Sequence, residues 1–271
     1  MKKKVIKRIL MCRPLHFTVE HVYNPWMQPG SVDSQRAMQQ WEALVAIYKN
    51  LGITIEVIDQ QKGLHDMVFA TDQGIVQRKK VLLSNFRHKE RQGESKYYET
   101  WFKNNGYEIM HLPNGHYLEG NGETYLWNDM LFIGNGYRSD KLTTQFLTKE
   151  FHQTVVSLDI VDPAFYHLDV GFFPLNETTI FYYPPAFANV SQILLQRLVP
   201  HLIPFTKEEA YGFCGNSIVT GNTVICQKDN PTFVKKLAEL GYETREVDLG
   251  EFKKSGGGAH CLTNILEEVV E

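Results

Sequence analysis

Asp72, Glu119, His167, Asn216 and Cys261 stand 47, 48, 49 and 45 residues apart in a chain of 271. The set comprises two carboxyls, an imidazole, an amide and a thiol. A thiol becomes a nucleophile once its proton is removed, an imidazole moves protons near neutral pH, and carboxylates hold cations. Even spacing near this period marks a propeller or array, in which equivalent positions face one shared axis.

Each residue type has a functional reading and a plain one. Cys261 closes the segment GGGAHC, whose three glycines permit backbone conformations and close approaches denied to other residues, so a ligand is expected to press on this loop. Without a partner in register, the same cysteine reads as a small buried residue beside a glycine turn. His167 is followed two residues later by Asp169, which an extended segment would send to the same side. Such an HxD pair serves a proton shuttle, a satisfied core histidine or half of a metal site. No His-rich cluster accompanies it, so no metal is expected.

Glu119 lies in YLEGNGE between apolar residues and a glycine turn. It reads as a carboxylate that orients His167 or holds a cation, and equally as a turn cap. Asp72 and Asp169 add two acids at strand starts. Three inward carboxylates repel one another unless a cation lies between them, and a planar guanidinium matches that need. Arg91 in ERQGE and Arg138 in GYRSD suit surface ion pairs, or bidentate binding of a substrate carboxylate. Asn24 opens NPWM, whose Pro and Trp read as loop packing rather than ligand contacts.

These residues need elements to place them. DQGIVQRKKVLLSNF, GNGETYLWNDMLFIGNG, HLDVGFFPLNETTIFYYPP and CGNSIVTGNTVICQKD each read as strand, turn, strand. A helix and a further strand follow each one. In SQRAMQQWEALVAIYKNLG, Met38, Trp41, Leu44 and Tyr48 recur at helical spacing, with Gly52 placed to end the helix. The fifth unit is split: it begins at Cys261 and is completed by KRILMCR, the first helix and ITIEVID. Joining the two ends closes a ring and is expected to remove exposed sheet edges. No linker divides the chain, so residues 1–271 are expected to form one domain.

The bulk properties narrow the function. An apolar fraction of 43% and a charged fraction of 22% are those of an ordinary globular protein. A net charge of -3 disfavours nucleic acid as a partner. The basic start MKKKVIKRIL is like that of a signal peptide, but Lys7 and Arg8 interrupt its apolar part. No apolar run is long enough to span a bilayer, and the expected location is the cytoplasm. Cys12, Cys214, Cys226 and Cys261 lack metal-ligand spacing and are expected to be free thiols.

The whole combination resembles the guanidine-modifying branch of the pentein superfamily. The resemblance is carried by NPWM, HDMVFATDQG, SNFRHKERQGE, EGNGE, GYRSD, FYHLD and SGGGAHCLTN, and covers nearly the whole chain. It points to arginine dihydrolases, arginine deiminases, dimethylarginine dimethylaminohydrolases and amidinotransferases. It implies a five-fold pseudosymmetric α/β propeller and a metal- and cofactor-free attack of a Cys thiolate on a guanidinium carbon. On matching positions it implies Cys261 as nucleophile, His167 as acid and base, and Glu119 as its partner. Asp72 and Asp169 become guanidinium ligands, and Arg91, Arg138 and Asn24 contacts to the rest of the substrate.

The implied partner is a small guanidino compound, with neither nucleic acid nor membrane involved and with homo-oligomer formation compatible. Asp72 departs from the VFTANAG pattern of dihydrolases and is similar to the FTRD segment of deiminases. One hydrolysis, giving citrulline plus ammonia or an alkylamine, is therefore expected. The competing readings are double hydrolysis to ornithine, amidino transfer to an amine, and, remotely, a non-enzymatic interaction protein on the same fold.

Overall fold

The computed structural model describes residues 3–151 and 153–271. It contains five separate three-stranded sheets built to one plan: an antiparallel hairpin, a helix, and a third strand parallel to the second. In the first complete unit Gly74–Gln77 pairs with Lys80–Leu83, which pairs with Glu108–Met110. Thr124–Trp127, Met130–Asn135 and Thr154–Asp159 form the next. Phe172–Pro174, Thr179–Tyr182 and His201–Pro204 follow, and then Ile218–Thr220, Thr223–Gln227 and Glu243–Val247.

The last sheet joins the chain ends. Asn264–Val270 pairs antiparallel with Lys4–Arg13, which runs parallel to Thr54–Asp59. The basic start is thus mostly the central strand of a blade; Met1 and Lys2 lie outside the described residues. The arrangement is the five-fold α/β propeller, with the fifth unit split as its sequence indicates. One expectation needs correction. The sheets stay separate, so the ring closes by packing between blades and by local backbone bonds such as the Asn85–Leu118 and Ile160–Phe187 bridges, rather than by a continuous ladder.

Local chemistry explains the units. Asn128 and Asp129 both have positive φ, the requirement of a two-residue turn whose twist matches its hairpin. A parallel third strand cannot follow such a turn, so each chain returns through a helix. Helix Ser34–Asn50 starts at Asp33, whose carboxylate accepts from the Arg36 amide at 3.0 Å. Its buried stripe includes Ala37, Trp41, Leu44 and Tyr48, while Met38 is only partly buried. Aromatic rings fill the space between neighbouring blades: Phe132 meets Phe172 at 5.5 Å, and Phe181 meets Phe233 at 5.4 Å. Burying each such ring contributes about 2–3 kcal/mol, which holds the inner strands in register. Among the described residues no helix is long and apolar enough to cross a membrane.

Candidate active site

At the start of each inner strand the chain makes a tight turn, and the five repeating residues sit on those turns. Asp72 lies in the turn Ala70–Gln73, Glu119 precedes Gly120–Gly122, His167 precedes Leu168–Gly171, and Asn216 ends Cys214–Asn216. Cys261 occupies the turn before Asn264–Val270. All five are at most 2% exposed. Phe213 takes a left-handed φ of 63° just before the Asn216 turn, a strained choice for a bulky residue. Such strain is held by packing, here against Trp26 at 4.7 Å.

His167 Nε2 lies 2.9 Å from Glu119 Oε2, and its Nδ1 lies 3.6 Å from Asp72 Oδ1. Glu119 therefore does not cap its turn; its side chain makes no capping bond. Burial alone would lower the His167 pKa, but Asp72 and Glu119 outweigh it and raise the imidazole above its ordinary value. Burial likewise pushes Glu119 up, yet Arg138, His167 and Arg91 hold it well below the usual carboxylate range.

The HxD segment is not extended. Leu168–Gly171 is a short helical turn, which separates the partners of its two polar residues. Asp169 Oδ2 accepts from Cys261 Sγ at 3.1 Å and contacts His260 Nδ1 at 2.9 Å. Asn216 donates to the same sulfur from Nδ2 at 3.0 Å. Burial, then Asp169 and Asp72, push the Cys261 thiol well above its ordinary pKa. This environment favours the thiol, and a cation brought beside the sulfur would favour its ionised form.

Arg91 and Arg138 are not surface residues; they are 3% and 1% exposed. Arg91 donates to Asp72 Oδ2 at 2.8 Å and to Glu94 Oε2 at 3.0 Å, and lies 3.6 Å from Glu119. Arg138 donates to Glu119 Oε2 at 3.0 Å and packs over Tyr166 and Tyr23. Asn24 donates to the Ser255 carbonyl and accepts from the Trp26 amide, clasping the segment before the first helix onto the Cys261 loop. The glycines of that loop are pressed by the protein itself. A Cβ on Gly257 would meet the Phe69 ring, and Gly256, at φ +94°, lies against the Tyr166 hydroxyl. Gly122 serves the centre, since a Cβ there would strike Asp72 Oδ1 and His167 Nδ1.

Four further groups escape sequence reasoning. Glu123 accepts from the Glu119 and Ser139 amides at 2.9 Å each, and burial raises it to about 7. Glu94, also raised by burial to about 7, braces Arg91. Asp66 accepts from Ser255, and His260 contacts Asp169. The available signals were slight: the second acid of EGNGE, the acid closing ERQGE, the Asp of HDMVF and the His beside Cys261.

Six carboxyls are thus buried around the site, and its two buried guanidinium groups pair with three of them, Asp72, Glu94 and Glu119. Asp72 Oδ1, Glu119 Oε1, Asp169 Oδ1 and His167 Nδ1 are all buried without a hydrogen-bond partner. Orphaned polar atoms gathered in this way call for a partner, whether ordered water, an ion or a ligand. A metal fits less well than a planar cation. Asp72, Glu119 and His167 do bring ligand atoms within 4.8 Å of one another. Arg91 and Arg138 already neutralise those two carboxylates, and a divalent ion there would meet both guanidiniums.

Residues 14–267 match the family model described as N,N dimethylarginine dimethylhydrolase, eukaryotic. The chain belongs to that family.

Relatives of this dimethylarginine dimethylhydrolase family member span more than one named activity. The N(G),N(G)-dimethylarginine dimethylaminohydrolase of Mycobacterium tuberculosis is 35% identical over 95% of this chain and 85% of its own length. The bifunctional arginine dihydrolase/ornithine cyclodeaminase ArgZ of Synechocystis is 38% identical over 97% of this chain, which spans 38% of the length of ArgZ. The N-terminal domain of ArgZ, a cyanobacterial arginine dihydrolase solved as a cysteine-to-serine variant with substrate bound, superposes at a TM-score of 0.92. That match has 37% identity and covers 96% of this chain and 97% of the domain. An asparagine-to-serine variant of the ArgZ domain, covalently bonded to a reaction intermediate, matches at 0.92 as well.

Proposed function

We propose that this chain hydrolyses the guanidinium group of arginine or an N-substituted arginine, with Cys261 as nucleophile. The observation that carries the proposal is the group of unpartnered buried atoms on Asp72, Glu119, Asp169 and His167 beside the thiol. A guanidinium offers the matching planar donors and positive charge.

The excess of acids attracts the cation, and the cation in turn lowers the cost of ionising Cys261. The thiol proton leaves to solvent as the cation binds, and the thiolate adds to the guanidinium carbon, forming the carbon–sulfur bond. His167, whose protonated form its carboxylates favour, gives its proton to the departing nitrogen, and the carbon–nitrogen bond breaks to leave a thiouronium. Neutral His167 then takes a proton from water. The hydroxide adds to the same carbon, the carbon–sulfur bond breaks with its electron pair returning to the sulfur, and the hydroxyl proton leaves to solvent as the neutral ureido product is released. Arg91 and Arg138 hold the central carboxylates in register and face the remainder of the substrate, with Asn24 holding the covering segment down.

With Asp72 in place, citrulline is the product, because a neutral ureido group loses its charge-assisted bonds and leaves. Double hydrolysis to ornithine is the second reading, favoured by the likeness to the ArgZ domain. In the proposed setting, residues 1–271 form one catalytic domain of a cytoplasmic enzyme that needs no metal or cofactor. Mass spectrometry of products from arginine, methylated arginines and agmatine tests the proposal. Citrulline with one ammonia or alkylamine supports it; ornithine with two ammonia per arginine selects the second reading; no turnover of any guanidine refutes both.

A further inference from the structure

His260 is bound to the site by its carboxylate rather than by its position before the nucleophile. Its Nδ1 lies 2.9 Å from Asp169 Oδ2, the oxygen that also accepts from Cys261 Sγ at 3.1 Å. Asp169 is fully buried, and its other oxygen, Oδ1, has no partner. The ring of His260 is itself fixed, lying 4.9 Å from the Tyr125 ring at an angle of 31°. It is 5% exposed and lines the channel of about 1650 Å³ formed by the inner strands and their hairpin turns.

A carboxylate with one clamped oxygen and one free oxygen has a fixed plane. The clamped oxygen receives the thiol and the imidazole, and the free one is presented to the ligand. Without the imidazole, Asp169 Oδ2 would keep only the thiol as a side-chain partner, and rotation about the Cβ–Cγ bond would exchange the two oxygens. Removing the donor would also leave more negative charge on the atom nearest the sulfur, which opposes thiolate formation.

We propose that His260 is a positioning residue that, by donating Nδ1–H to Asp169, fixes the orientation of that carboxylate and so sets both guanidinium binding and the ease of ionising Cys261. This rests on the guanidine-hydrolase reading for its binding half, whereas the thiol half concerns the free protein alone. The groups that share the electrostatics of the sulfur are Asp72, Asp169 and Tyr166 on the site side and Tyr125 on the channel side.

The test compares His260→Asn, whose amide can place a donor near the Nδ1 position, with His260→Phe, which keeps the ring packing and removes the donor. Two readouts are needed: the pH profile of Cys261 alkylation by iodoacetamide without substrate, and KM against kcat for the best guanidine substrate. Expected for His260→Phe are an alkylation profile displaced to higher pH and a KM raised about tenfold or more, with His260→Asn close to the parent in both. Circular dichroism and thermal melting establish that both variants are folded. Should His260→Phe melt early, the alkylation profile of the folded His260→Asn and of a His260→Gln variant, whose donor sits too far out, gives the same comparison. An unchanged alkylation profile in His260→Phe, or equal defects in Phe and Asn variants, overturns the proposal. Failure of every guanidine to turn over, with the alkylation shift still present, refutes the guanidine reading and leaves the clamp standing.

Discussion

Asn216 and Cys261 exchange two hydrogen bonds: the Cys261 amide donates to Asn216 Oδ1 at 3.1 Å, and Asn216 Nδ2 donates to Cys261 Sγ at 3.0 Å. The amide thereby fixes the backbone of Cys261 and faces its sulfur with a donor. A donor stabilises a thiolate, so the pair opposes the burial that keeps the sulfur protonated.

Asn216→Asp should leave the protein folded, because the acceptor for the Cys261 amide survives. It replaces the donor at the sulfur with a second anion beside Asp169. Alkylation of Cys261 is expected to move to higher pH, and kcat/KM to fall at least about tenfold. Thiol alkylation followed across pH checks this; a profile equal to the parent's would show that Asn216 only shapes the loop.

Glu119→Gln removes one of the two carboxylates, with Asp72, that raise His167, and leaves Arg138 with a buried charge and no anion. Removing one member of a buried pair costs about 3–5 kcal/mol, so a lower melting temperature is expected. The alkaline limb of the pH–rate profile should shift to lower pH as the imidazole loses its proton more readily. The kcat should drop about 10²-fold or more, as expected when a general acid is mistuned. An unmoved alkaline limb would dissociate Glu119 from His167.

Stability should fall as pH rises through neutrality. Glu94 and Glu123 are raised by burial from 4.5 to about 7, so the folded state binds more protons than the unfolded one between those values. Their ionisation opposes the fold over that window. His167 is also raised, and its contribution, present below 6.5, is lost as pH passes its folded value. Glu119 acts oppositely, below 4.5. Thermal melting of the ligand-free protein should therefore decline between about pH 5 and pH 8, and Glu123→Gln should flatten part of that slope while costing about 1–3 kcal/mol through its two amide partners. A melting temperature that climbs over this range would contradict the assignment.

The blades were legible because each hairpin is local and each repeat carries its own reactive residue. The split fifth blade followed from the same register: Cys261 begins a unit that the N-terminal strand completes. Charge partnership was not legible. Arg91 and Arg138 look like surface arginines in ERQGE and GYRSD; folding of their own units buries them against Asp72 and Glu94, and against Glu119, and the approach of Arg91 to Glu119 links the two units. Alternation misled at His167 and Asp169, where a helical turn replaces the extended segment. The glycines beside Cys261 accommodate Phe69 and Tyr166, a packing role that sequence cannot separate from ligand contact.

Exhaustive treatment with a strong chelator should leave turnover unchanged, since guanidinium groups already engage the acids that could hold an ion. Loss of activity that one particular metal restores would promote Asp72, Glu119 and His167 to ligands.

The central claim is a covalent bond between Cys261 and the guanidino carbon, and arginine or its best-accepted methylated form, labelled with 13C at that carbon, tests it directly. Samples quenched in acid during turnover should carry the label on the Cys261 peptide early and in citrulline later, while Cys261→Ser, folded by circular dichroism, should carry and release none. Turnover with the Cys261 peptide unlabelled at every time point, or near-normal activity in the folded serine variant, would contradict it.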